Sequence, residues 1–226
     1  MAHATMPVWQ EATDGQKIEK LHGKVIDLYR LLHGPAIRSL VEQLQSHRAM
    51  DEKEAADVQT IIRVCLEHPD ILSATCEAGH VTGSALIVHP ASGNVLLNRH
   101  KTFNRWMQFG GHAEAEYEPW RVALREAREE SQLLQLSFCS DFVHSGVPVP
   151  FDVDVHEIAS SRGRPKHLHL DVRYLLQTDQ PDSARASTES HTVTWFARPD
   201  LNQLDLEPNV RRMITKAGVA FRTLDN

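Results

Sequence analysis

The sequence predicts an α+β fold, a sandwich built on a mixed β-sheet, with a helical extension in front of it. Three observations carry this. Apolar residues recur at three- and four-residue steps over residues 16–72. From about residue 75 onward, short β-prone runs take over. Among those runs a strong helix stands between strands and another closes the chain, the arrangement expected of helices layered on a sheet. The division falls at residue 75, with 1–75 a helical extension and 76–226 the main domain.

The elements follow in order. Ile18, Leu21, Val25, Leu28 and Leu32 make one helical stripe, and Gly34-Pro35 is expected to stop it. Ile37, Leu40, Val41 and Leu44 make a second, shorter stripe. Asp51 with Glu54 three residues later reads as a capping box, leading into Val58, Ile61, Ile62 and Cys65 and ending at His68-Pro69. Val81–Pro90 and Val95–Asn98 flank the turn residues Pro90–Asn94, a hairpin signal. Arg99–Glu118 reads as a loop and Pro119–Gln132 as a helix, with proline in its first turn. Residues 133–145, 151–158 and 167–177 read as strands, the last two separated by Ser160–Pro165. A strand at 191–197 and a helix near 207–217 complete the chain.

Composition narrows the function classes. With 226 residues, 41% hydrophobic and 24% charged, the chain can bury a core without a disulfide or metal staple. No apolar run approaches the length of a membrane span. The N-terminus lacks the basic and apolar regions of a secretory signal. Net charge is −6. Residues 1–75 carry 8 basic and 11 acidic side chains, and there is no basic recognition helix, which disfavours nucleic-acid binding. The three cysteines (Cys65, Cys76 and Cys139) are widely spaced, without a CxxC pattern, and fit a reducing, cytoplasmic compartment.

The informative segment is Gly110-Gly111-His112 followed by Arg125-Glu126-Ala127-Arg128-Glu129-Glu130. Glu126, Glu129 and Glu130 share one helical face at i, i+3 and i+4. Taken alone, such a run reads as an exposed, salt-bridged surface. Yet three carboxylates on one face repel unless a cation or arginines sit among them, and hard divalent ions such as Mg²⁺ prefer oxygen ligands of this kind. The paired glycines upstream let the backbone approach a ligand closely.

The whole segment resembles the Nudix box: a glycine, five residues, a glutamate, seven residues, then Arg-Glu-x-x-Glu-Glu-x-Gly and an aliphatic residue. Gly111, Arg125, Glu126, Glu129, Glu130 and Leu133 fit it over about 23 residues. The flanking hairpin and Val193-Thr194-Trp195-Phe196 are similar to the family's as well, so the resemblance extends over residues 80–217 and leaves 1–75 outside. Tyr117 stands where the box has its first glutamate and Gln132 where it has its second glycine. Glu116 and Glu118 flank the tyrosine and are placed to supply the missing carboxylate. If Gln132 must adopt φ > 0, glutamine costs on the order of 1 kcal/mol there relative to glycine; otherwise the helix ends differently.

The resemblance implies a Nudix-type α/β/α sandwich and a metal-dependent hydrolase that cuts a pyrophosphate bond in a nucleoside diphosphate linked to some group X. It implies Mg²⁺ or Mn²⁺ held by the Gly110 carbonyl, Glu126, Glu129 and Glu130. Glu126 and Glu129 would be catalytic, with Arg125 holding Glu126. The alternative is a degenerate module that keeps the fold, binds a ligand and does not catalyse. An isomerase acting on a prenyl diphosphate would need a reactive cysteine, and Cys76 and Cys139 have no basic or carboxylate neighbour pattern that suggests one.

Two further groups are candidate substrate contacts. Residues 99–109 mix basic and aromatic side chains. Arg99 and Arg105 suit phosphate and Trp106 suits a base, although Trp106 and Phe109 equally fit a core. His112 follows the glycines. In the two strands, Asp152, Asp154 and His156 alternate with apolar residues, as do His167, His169, Asp171 and Arg173. Period-2 alternation puts each polar set on one face, either a solvated outer surface or a substrate wall. His169 and Asp171 are the candidates from this set. His-x-His on a strand also suits zinc, but the sequence identifies no third ligand. For the extension, the apolar stripes need a cover from the same chain or a second copy, hence a cap or a homodimer contact.

Overall fold

The computed structural model describes residues 14–114, 116–160 and 165–222. The side chains of Ile18 and Leu21, and residues 161–164 of the Ser160–Pro165 turn, lie outside the described residues.

Two helices come first, α1 (Asp14–Gln45) and α2 (Glu52–Glu67). Gly34-Pro35 does not end a helix: α1 runs straight through Pro35. A proline there removes one backbone bond, to the carbonyl of residue 31, and Leu31 is 74% exposed, so water can serve that carbonyl. The following turns are fixed by Ile37, Leu40, Val41 and Leu44, all buried in one cluster with Val58 and Ile61 of α2. Packing of this kind outweighs a local stop signal. Upstream, Val25, Leu28 and Leu32 remain exposed. At the start of α2 the Asp51 side chain accepts from the Glu54 N–H at 2.8 Å. Glu54 reaches back to the N–H of Met50, one residue earlier than a capping box requires.

The sheet is mixed and eight-stranded. Its centre is β1 (His80–His89), which pairs parallel with β9 (His167–Gln177) over nine residues. On its other side β1 pairs antiparallel with β2 (Asn94–His100) and, nearer its start, with β4 (Phe109–His112). β3 (Arg105–Met107) and β10 (Ser190–Phe196) join β2. β8 (Asp152–Ile158) and β5 (Ser137–Phe138) join β9. The expected loop at 99–118 thus contains two short strands. The expected strand at 133–145 is broken into β5, a 3₁₀ turn at Ser140–Phe142 and β6 (Val143–His144), which pairs with β7 (Val147–Pro148) outside the main sheet. Runs of two to four residues leave almost no periodicity to read.

One sheet face carries Ala85, Ile87, Leu96 and Tyr174 under α3 (Pro119–Ser131) and the extension. The other carries Leu86, Val88, Val95, Leu97 and Leu175 against α4 (Arg198–Leu201) and α5 (Pro208–Arg222), through Leu201, Val210, Met213 and Ala217. Helices therefore cover both faces, an α/β/α sandwich. No described helix is long and apolar enough to cross a membrane.

The extension is bonded to the sheet edge. β8 is an outer strand, and α2 lies along it. The N–H of Val155 donates to Asp57 at 3.1 Å and that of Val153 to Glu54 at 3.4 Å. Side-chain carboxylates thus take the place of a further strand and blunt the edge. Lys216 of α5 donates to Glu54 at 2.5 Å and His47 bonds it at 2.8 Å. Burial opposes ionisation of Glu54, but these bonds outweigh it and hold its pKa well below the ordinary value.

α3 ends at Gln132, whose φ of 59° and ψ of 13° are left-handed. Its side chain is exposed. Glycine carries no Cβ penalty in this cap position. Gln132→Gly is expected to stabilise the protein by about 1 kcal/mol, read as a rise in the urea midpoint. An unchanged or lower midpoint would contradict the strain.

Candidate active site

Two glycines bring α3 onto the strands. A Cβ on Gly83 would stand 2.3 Å from the carbonyl oxygen of Pro119, and one on Gly111 would stand 2.3 Å from Oε1 of Glu126. A side chain at Gly83 would push the helix off β1, and one at Gly111 would displace the Glu126 carboxylate. The Glu126 carboxylate therefore rests on the Gly111 backbone, while Glu130 Oε2 accepts from the Gly110 N–H at 2.9 Å.

Arg125 is the hub of the site. Its Nε donates to Glu116 at 2.6 Å, Nη1 to Glu126 and Glu129 at 3.0 Å each, and Nη2 to the carbonyl of His112 at 2.7 Å. One guanidinium thus ties the helix to the loop before it and to the end of β4. Glu116 is the flanking carboxylate that engages this cluster. Glu118 pairs instead with Arg121 at 3.0 Å. Tyr117 is partly exposed, with its ring 4.7 Å from that of His33 on α1.

The carboxylates differ in burial. Glu130 is 5% exposed, whereas the Glu129 side chain is 59% exposed at the rim. Burial, only partly offset by the Gly110 N–H, pushes Glu130 up to about 8, with Glu126, Glu189 and Glu129 adding to the shift. Glu126 is also raised, by burial against the opposing pull of Arg125. Carboxylates that outnumber the one arginine among them form a donor set suited to a hard divalent ion. The sequence reading missed two neighbours: His100 and Glu189 each bring a ligand atom within 4.8 Å of one on Glu130. Glu189 is held at the site by its carbonyl, which accepts from the Lys101 N–H at 3.0 Å. It lies outside any periodic element, so no local pattern marks it.

Glu130 has a consequence for stability. Its folded-state value lies above the ordinary 4.5, so its contribution is fully present below about pH 4.5 and is lost as pH rises through about 8. In EDTA the wild type is expected to lose more stability between pH 5 and pH 8 than Glu130→Gln, measured by urea unfolding at both values. Equal losses would show that the carboxyl is not held in its neutral form.

A cavity of about 660 Å³ opens over these groups, lined among others by Arg105, Gly110, His112, Glu126, Glu129, Glu130, His169 and Asp171. Arg99 and Trp106 are not among its lining residues. Alternation along β2 and β3 sends His100, Arg105 and Met107 to the cavity and turns Arg99 and Trp106 away. Trp106 packs edge-on against Phe196 at 4.9 Å, a core role, and Arg99 bonds Asn104. Arg105 is paired with Glu207.

The polar alternation in β8 and β9 is not a solvated face. Asp152, Asp154, Asp171 and Arg173 are each at most 2% exposed. Asp171 accepts from Thr82 at 2.9 Å, Ser84 at 2.7 Å and Arg173 at 2.7 Å. Its acceptor positions are taken, and it braces the cavity wall. The three cysteines are buried and free. Cys76 does have a carboxylate neighbour, Asp70, at 3.6 Å. Burial pushes Cys65 and Cys139 up to about 12 and Cys76 up to about 11, and none lines the cavity, so no reactive thiol serves an isomerase.

Comparison with known families decides the class. The family model of the NUDIX domain matches residues 79–217. The chain belongs to the NUDIX family. It is thus a hydrolase acting on nucleoside diphosphate derivatives, and pyrophosphate hydrolysis is its general chemistry. Among solved structures, an Ap4A hydrolase from C. elegans in a binary complex is 17% identical with a TM-score of 0.49, covering 63% of this chain and 98% of its own. A NUDIX family hydrolase from Clostridium perfringens is 26% identical with a TM-score of 0.44, over 64% and 97%. The NUDIX domain of Shewanella oneidensis NrtR, complexed with ADP ribose, is 15% identical with a TM-score of 0.43, over 66% and 92%. No curated protein sequence matches the chain.

Proposed function

We propose that this NUDIX protein is a divalent-cation-dependent hydrolase that cleaves the pyrophosphate of a nucleoside diphosphate linked to a second group. The observation that carries this is the pair of pKa-raised carboxylates, half-buried Glu126 and buried Glu130, packed on Gly111 and Gly110 beside a single arginine. Glu126, Glu129, Glu130 and the Gly110 carbonyl are the donors for Mg²⁺ or Mn²⁺. When bound there, the cation would screen the diphosphate and lower the pKa of the attacking water. Glu126 takes the proton of that water, Arg125 holds Glu126 in register, and Glu129 at the rim receives the cation with its substrate. His112, His169 and Arg105 are substrate contacts across the cavity.

Tyr117 and Gln132 motivate a non-catalytic module. Glu116 bonds Arg125 beside the first, and the second adopts the left-handed cap, so neither favours that reading. The bonds of α2 to β8 support residues 1–75 as a cap on domain 76–226, and the exposed Val25, Leu28 and Leu32 support a homodimer contact by α1. Three buried free thiols fit the cytoplasm. The test is a phosphate-release screen over dinucleotides, nucleotide sugars and nucleoside triphosphates with Mg²⁺ or Mn²⁺. Turnover of one class is expected. Folded protein that hydrolyses none of them would overturn the proposal.

A further inference from the structure

Apart from the carboxylates, a cluster of imidazoles drawn from four strands lies at and behind the cavity wall. His80 opens β1, His169 lies directly beside it on β9, and His112 pairs with Thr82 from the other side of β1. Their ring centroids form a nearly equilateral triangle of 4.9, 4.7 and 4.9 Å. One nitrogen from each lies within 4.8 Å of the other two. The Nε2 atoms of His112 and His169 are 3.2 Å apart. Zinc bound at about 2.0–2.1 Å in tetrahedral geometry separates its nitrogen ligands by roughly 3.3 Å, so this pair already stands at ligand spacing. We propose that His80, His112 and His169 form a second cation site, taking one imidazole-preferring transition metal ion, Zn²⁺, distinct from the hard-ion site at the glutamates.

The donors are all nitrogen, which suits zinc and not Mg²⁺. The surroundings are imidazole as well: His156 is 5.5 Å and His167 5.3 Å from His169, ring to ring. His156 is oriented by Asp154 at 3.0 Å and His167 by the Pro165 carbonyl at 2.9 Å, so two further imidazoles are fixed in the layer around the trio. Three protein ligands leave a fourth position for water or an anionic oxygen. His112 and His169 line the cavity, so that position opens on the space where a diphosphate would lie.

The test uses the full chain stripped with EDTA and titrated with Zn²⁺ against a chromophoric chelator, with Co²⁺ as a spectroscopic probe of the wild type. One tightly held Zn²⁺ per chain is expected, and Co²⁺ should give the intense visible bands of a tetrahedral site. His112→Gln and His169→Gln should each weaken Zn²⁺ at least about tenfold, while Glu129→Gln and the exposed His191→Gln should leave it unchanged. X-ray absorption of the zinc-loaded wild type should count three imidazole nitrogens, which keeps the proposal testable if a histidine variant fails to fold. Wild type that retains no zinc, histidine variants that bind as wild type does, or loss of zinc only in Glu129→Gln would each overturn it. None of these outcomes depends on hydrolysis being observed.

Discussion

Glu126→Gln is expected to lower kcat for the cation-dependent hydrolysis by ~10²–10⁴-fold, the range for removing a positioned general base. The substitution keeps the shape that fits against Gly111 and keeps an oxygen for Arg125, whose Nη1 lies 3.0 Å from Oε1. What it removes is the negative charge and the capacity to take a proton. Stability should not fall with activity. Burial already raises the pKa of this carboxyl, so ionising it in the fold carries a cost that glutamine avoids. The measurement is kcat and KM at saturating Mg²⁺ beside a urea unfolding curve. Loss of kcat with an unchanged or higher midpoint is the expected pattern. Activity within about threefold of wild type would remove Glu126 from the chemistry. Glu129→Gln, at the exposed rim, should abolish detectable turnover through weaker cation binding, and so should be partly rescued by added cation where Glu126→Gln is not.

What could be read from the sequence divides along physical lines. The helix carrying Arg125, Glu126, Glu129 and Glu130, the hairpin before it and the alternating strands are local patterns, and each lies where its period places it. Gly111 against Glu126 follows from spacing plus the absence of a side chain. The misreadings arise where the outcome depends on distant chain. Gly34-Pro35 is a local stop, but the packing of Ile37, Leu40, Val41 and Leu44 on α2 carries the helix past it. Arg99 and Trp106 lie in a mixed basic and aromatic run, yet their side is decided by the end of β2 and by β3, whose three residues are too short to be marked by periodicity. The alternation in β8 and β9 fixes which residues share a face, but whether water or α5 covers that face is set by residues some 40 positions later. His80 pairs with His169 across 89 positions and the parallel β1–β9 register, so the third imidazole has no sequence signal.

That covered face leads to the second large effect. Arg173→Met is expected to destabilise the protein by ~3–5 kcal/mol, the cost of leaving buried charges unpaired. Arg173 is 1% exposed and bonds Asp171 at 2.7 Å, Asp152 at 3.2 Å and Asp154 at 3.4 Å. Arg212 of α5 bonds Asp152 at 2.9 Å. Lys53 pairs with Asp154 and Lys216 lies beside Asp152, but Arg173 is the cation that touches all three carboxylates. Burial opposes the ionised form of Asp171, while the charge and hydrogen bond of Arg173 hold its pKa below the ordinary value. Without Arg173 the hydrogen-bond donors left to that carboxylate are the neutral Thr82, Ser84 and Gln108, and it must either stay charged in a dry wall or take up a proton. Methionine fills much of the volume, so the loss reports charge compensation more than a cavity. The control is the double variant Arg173→Met with Asp171→Asn, which removes the stranded charge and should recover some of the stability. A single variant within about 1 kcal/mol of wild type, or a double variant less stable than the single, would show that the network does not brace the fold. Because Asp171 also anchors Thr82 and Ser84 on β1, two residues from His80 and beside Gly83, the same variant should loosen the wall that faces Glu126 and raise KM even in the fraction that remains folded.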